Sequence, residues 1–168
     1  MNLKNTNTKW LFLCAIAHEK KNKSRHLKDI SFGVFALLKN KIPVKNIEII
    51  IDEFEGYEDE IFVQQMLCQF DIKGIDKLDS IIKECQNENF VVIFLGHGNE
   101  NGLGTIPPIK SYQIIENLKS NNSLKCIALI FGQCYAGVFN YVDLQKISDL
   151  GEIENINIKI DIPNNYKI

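Results

Sequence analysis

Two short stretches carry residue types that can do chemistry together. Phe94-Leu95-Gly96-His97-Gly98 closes one apolar run and leads into Asn99-Glu100-Asn101-Gly102-Leu103-Gly104, while Phe131-Gly132-Gln133-Cys134-Tyr135-Ala136-Gly137 closes another. A thiol with an ordinary pKa of about 8.5 is only a few per cent thiolate at neutral pH, yet it is an intrinsically strong nucleophile. An imidazole titrating at about 6.5 can take the thiol proton and later hand it to a leaving amine. A backbone N–H in a glycine-rich turn can hold the oxyanion of a tetrahedral intermediate. His97, Cys134 and the Gly98 N–H match those three roles. The flanking glycines leave the backbone free for tight turns and close substrate approach.

For His97 and Cys134 to meet, the runs that end in them must be neighbouring strands. Five apolar runs punctuate the chain, at 10–17, 47–51, 90–96, 124–132 and 156–160. The second, third and fourth are continuous and rich in Ile, Val and Phe, which is how a strand reads when both faces are covered in a parallel sheet. The last, INIKI, alternates like an edge strand or a hairpin arm. Helical periodicity fills the gaps. Leu27, Ile30, Val34 and Leu37 form one stripe with Ser24 as N-cap, and His26 falls on an exposed helix start. Phe62, Met66 and Phe70 form another, opened by Glu58-Asp59-Glu60. Ile75, Leu78, Ile82 and Cys85 form a third, with Lys77, Asp79 and Lys83 facing away. Ile114, Ile115 and Leu118 form a fourth, capped by Ser111. Loops are expected at 18–25, 52–59, 97–110 and 120–123. The alternation predicts a single α/β domain over 1–168, a three-layer sandwich with a mainly parallel central sheet. Functional groups in such a sheet gather beyond the carboxyl ends of the strands, where His97 and Cys134 fall.

The strand ending in His97-Gly98 and the strand ending in Gln133-Cys134-x-x-Gly137 together resemble the caspase-like cysteine peptidases, which include caspases, metacaspases and legumains. The resemblance covers roughly 8–140 and is sharpest at 91–104 and 127–137. It implies a caspase/haemoglobinase fold and a cysteine endopeptidase, a hydrolase acting on protein or peptide substrates. Carried over, it makes Cys134 the nucleophile and His97 the general base and acid, with Gly98 and the Cys134 backbone forming the oxyanion hole. Gln133 would lie near the P1 side chain. The loop after the first strand would read P1, where Arg25 argues for acidic residues and Glu19 for basic ones. The spacing departs from the caspase Gln-Ala-Cys-x-Gly signature, since Gln133 directly precedes Cys134 and Gly137 follows three residues later. The stretch after Cys134 is short for these enzymes, so a minimal INIKIDIPNN, a missing region, a partner chain (an activating partner) or a dimer mate would complete the substrate groove. The alternative is a latent or catalytically silent caspase-like fold kept as a regulatory or interaction module. A cysteine hydrolase or transferase acting on something other than peptides is a third reading.

Other chemistries fit less well. Cys14-x-x-x-His18 has no second pair to complete a zinc site, so no metal or other cofactor is expected. The acidic stretch Asp52-Glu53-Glu55-Glu58-Asp59-Glu60 lacks a calcium-loop pattern and reads as a solvated acidic loop. Gly96-x-Gly98 with Gly102 is out of register for a dinucleotide loop. Cys14, Cys68, Cys85 and Cys126 lie in or near apolar stripes and read as structural.

Composition narrows the field further. Apolar residues make up 45% and charged residues 24%, with a net charge of −2. That is an ordinary globular mixture with no field to attract nucleic-acid backbones or anionic lipid. No run approaches the roughly 20 apolar residues that span a bilayer. The five cysteines contain no CxxC pair, which suits free thiols in a reducing, cytoplasmic setting. WLFLCAIA after a lysine-bearing start can pass for a short secretory signal with Ala15-Ile16-Ala17 as its cleavage site, but it reads better as a buried first strand.

Overall fold

The structure is a computed structural model and describes residues 7–17, 23–53, 61–99, 102–105, 108–134 and 136. In chain order these build strand β1 (Thr8–Ala15), helix α1 (Lys23–Lys39), strand β2 (Ile47–Ile51), helices α2 (Ile61–Leu67) and α3 (Leu78–Lys83), and strand β3 (Asn89–Gly96). Three two-residue strands follow, β4 (Gly98–Asn99), β5 (Gly102–Leu103) and β6 (Ile109–Lys110), then helix α4 (Ser111–Ser120) and strand β7 (Cys126–Phe131).

The long strands form one parallel sheet in the order β2-β1-β3-β7. The expected α/β class and mainly parallel sheet are therefore present. Successive side chains of a strand point to opposite faces, and the two cores divide on that period. Trp10, Phe12 and Cys14 pack with Leu27, Ile30 and Val34 of α1 and Val63 and Leu67 of α2. Leu11, Leu13 and Ala15 pack with Leu78 and Ile82 of α3 and Ile114 and Leu118 of α4. Each fully buried Leu, Ile or Phe contributes about 1.5–3 kcal/mol relative to exposure, so the central strands anchor the fold on both faces.

Several expectations need correction. Ser24 lies inside the first turn of α1 rather than capping it, because the helix begins at Lys23. Ser111 is likewise the first residue of α4; the N-cap is Lys110, whose N–H donates to Gln113 Oε1 at 2.9 Å. His26 is not exposed: it is 5% accessible, on the sheet-facing side of α1. The run at 124–132 was expected to be covered on both faces, yet β7 is only partly buried, with Ile127 and Ile130 exposed. It stands at the edge of the sheet among the described residues. The 97–110 loop holds β4, β5 and β6, an antiparallel ribbon too short to leave a periodic signature. Cys68 is exposed just past α2. INIKI (156–160) and Glu58-Asp59-Glu60 lie outside the described residues.

The amino-terminal end of the sheet carries charge that the sequence pattern did not reveal. Glu48 Oε1 accepts from Lys9 Nζ at 2.7 Å, and Glu48 Oε2 accepts from Lys73 Nζ at 2.7 Å. Partial burial alone would raise the Glu48 carboxyl, but the hydrogen bonds and charges of Lys73 and Lys9 outweigh it and hold the group below its usual value. A cavity of about 460 Å³ opens beside this cluster. Cys85, which also lines it, has its thiol pushed up by burial.

Candidate active site

His97 and Cys134 follow the ends of adjacent strands. Phe94 of β3 pairs in parallel register with Phe131 of β7, and each candidate residue lies three positions further on. The Phe94 and Phe131 rings stack at 4.7 Å between centroids, which fixes that register from the side chains as well. The Gly132 N–H donates to Phe94 O at 2.8 Å, carrying the pairing one step past β7. Both His97 and Cys134 are exposed.

The backbone around His97 is built by glycines. Gly96 has φ +87°, and a Cβ there would lie 2.2 Å from the Ala15 carbonyl oxygen. Only glycine lets the chain turn that closely past β1. The His97 N–H then donates to Ala15 O at 2.8 Å, tying the histidine to the centre of the sheet. On its other side His97 O accepts from Gly104 N at 3.0 Å.

That last bond decides where the Gly98 N–H goes. In an antiparallel ladder, bonded and non-bonded pairs alternate. His97 O bonds to Gly104 N, and Asn99 pairs with Gly102, so the intervening Gly98–Leu103 pair is the non-bonded one. The Gly98 N–H is therefore not used by β5. The Cα of Gly98 also sits directly against Cys134, since a Cβ on Gly98 would lie 2.2 Å from the Cys134 carbonyl oxygen.

The same register places other residues named from sequence. Gln133 turns inward and is 8% accessible; a Cβ on Gly98 would meet its Nε2 at 2.9 Å. Neither Gln133 Nε2 nor Oε1 has a hydrogen-bond partner among the described residues. Arg25 is exposed on the first turn of α1, whereas Glu19 lies outside the described residues.

Two contributors escaped sequence reasoning. Asp52, read as part of a solvated acidic loop, has its Oδ1 accepting from Ile16 N at 2.7 Å and Ala17 N at 3.1 Å. It satisfies the backbone where β1 ends, beside the Ala15–His97 link. His26 brings its ring edge-on to the His97 ring, with centroids 6.2 Å apart and an interplanar angle of 69°. The i, i+4, i+7 spacing of His26, Ile30 and Gly33 held the signal, for it puts all three on one helical stripe.

No family model, curated protein or solved structure matches this chain. Among the described residues no group of three or more His, Cys, Asp or Glu side chains is arranged to hold a metal ion, and no helix is long and apolar enough to cross a membrane.

Proposed function

We propose that the chain is a caspase-like cysteine endopeptidase domain in which Cys134 and His97 act as a dyad. The observation that carries this reading is the parallel β3–β7 register, which sets the two residues at twin strand tips with Gly98 against the Cys134 backbone.

The chemistry follows from those positions. The Cys134 Sγ attacks the carbonyl carbon of a peptide bond while its proton passes to His97. The oxyanion is held by the Gly98 N–H, which β5 does not use, together with the Cys134 N–H. Collapse of the tetrahedral intermediate breaks the C–N bond, and the amine leaves with the proton held by His97. Water, losing a proton to His97, then releases the acyl group as a carboxylic acid and regenerates the thiol. Gln133, buried behind Gly98, borders the P1 side of the cleft in this reading. The exposure of both dyad members supports turnover over a silent interaction module. The five free thiols suit a cytoplasmic setting.

Trapping tests the reading. A mixture of peptides ending in an electrophilic ketone is incubated with the protein, and the adducts are mapped by mass spectrometry. Selective labelling of Cys134 over Cys68, which is also exposed, abolished in His97→Ala, is expected. Equal labelling of the two, or labelling indifferent to His97, contradicts the dyad.

A further inference from the structure

His97 is exposed just past the end of β3. The structure supplies a neighbour. His26 is buried in α1, and its ring meets the His97 ring in a T-shaped contact. That contact lies outside the motifs at either strand tip.

The level of His26 along β1 is set by one glycine. A Cβ on Gly33 would lie 2.6 Å from Phe12 Cε1 and 2.8 Å from Phe12 Cζ, so α1 crosses β1 at Phe12 closer than any other residue would permit. The Phe12 ring is itself buried and cannot swing aside cheaply. From Gly33 back to His26 is seven residues of helix, a climb of about 10.5 Å. From Phe12 up to Ala15 is three residues of strand, about 10 Å. His26 therefore stands level with Ala15, whose carbonyl accepts the His97 N–H. One stripe of α1 thus sets both the crossing point and the ring that meets His97.

We infer that His26 is a positioning residue for His97, packing edge-on against its ring and holding it in the plane from which it serves Cys134. The inference rests on the dyad reading of the site. It assigns to α1 a part in catalysis that acts through His97 and touches no substrate. Ring packing carries the effect, so an aromatic replacement preserves it and an aliphatic one does not.

The test compares wild type with His26→Leu and His26→Phe by steady-state cleavage of a selected peptide and by NMR of the His97 ring protons. In His26→Leu, kcat falls about 10–100-fold, the scale expected for a small misplacement of a reacting group, with KM unchanged. In His26→Phe most of kcat returns. The His97 ring resonances shift in His26→Leu and stay near their wild-type positions in His26→Phe. Thermal melts of all three separate this from a loss of fold, because the NMR comparison is made well below the lowest melting temperature. Equal kcat and unchanged His97 resonances in His26→Leu overturn the inference. If wild type cleaves nothing, the peptidase reading fails separately, and the His97 resonances still decide whether His26 positions that ring.

Discussion

The Cα of Gly98 rests against the carbonyl oxygen of Cys134, so close that a single methyl group on Gly98 would fall 2.2 Å from that oxygen. The turn after β3 and the turn after β7 are thereby locked together at the point where the chemistry is proposed. Gly98→Ala must push the two strand tips apart. Overpacking of this kind costs about 1–3 kcal/mol, and each kcal/mol lowers Tm by about 2–4 °C in a chain of this size. Cleavage should fall about 100-fold or more, the scale for losing one oxyanion donor. A thermal melt and a peptide assay on the same sample check both parts; wild-type activity in Gly98→Ala contradicts the proposed oxyanion site.

Replacing the dyad should separate chemistry from folding. Cys134→Ala abolishes cleavage, and His97→Ala lowers kcat about 10²–10⁴-fold, the range for general acid–base catalysis. Both side chains are exposed, so both variants should melt within about 0.5 kcal/mol of wild type. Cys68→Ala, altering an exposed thiol beyond α2, leaves turnover unchanged. Loss of activity in Cys68→Ala alone would point to a different nucleophile.

Asp52 tests the link between the sheet and the site without touching the dyad. Its Oδ1 accepts two backbone N–H groups where β1 ends. Asp52→Ala strands both donors, and hydrogen bonds to a charged group are worth about 1.5–3 kcal/mol. Asp52→Asn keeps the acceptor and should lose less than half as much. Chemical denaturation ranks the three proteins; equal stability of Asn and Ala variants contradicts the capping role.

The Glu48 cluster predicts a pH dependence with a definite sign. Desolvation opposes ionisation of Glu48, but Lys73 and Lys9 outweigh it, so the folded-state pKa lies below the ordinary 4.5. A group depressed on folding adds stability that is present above its unfolded pKa and is lost as pH falls through the folded value. Glu48→Gln should therefore be less stable than wild type near neutrality, with Lys9 and Lys73 left without their partner. The gap should narrow in acid, below about pH 4. Denaturant midpoints at pH 7 and pH 3.5 check this, and a gap that widens in acid contradicts it.

Much of the architecture was legible because long, doubly covered strands leave unmistakable apolar runs. IEIII became β2 without adjustment, and FVVIFLG became all but the first residue of β3. The adjacency of β3 and β7, the strands that lead into His97 and Cys134, was legible for the same reason. What could not be read was tertiary. His26 is polar and near a helix start, so local pattern put it in water; its burial depends on Gly33 meeting Phe12 across the core. Asp52 sat in an acidic run that hid its bond to the end of β1. The two-residue strands of the 98–110 ribbon are too short for any period to show, yet their hydrogen-bond alternation is what frees the Gly98 N–H from β5. Ser24 and Ser111 were placed as caps by residue type, whereas α1 begins two residues and α4 one residue earlier than a serine cap demands.

The most direct measurement is exposure of wild type and Cys134→Ala to a complex peptide mixture, with new termini read by mass spectrometry. The dyad account predicts new termini in the wild-type sample alone, with a recurring residue on the acyl side of the cut that identifies P1. New termini produced equally by Cys134→Ala, or none from a folded wild-type protein whose Cys134 is free, would contradict it.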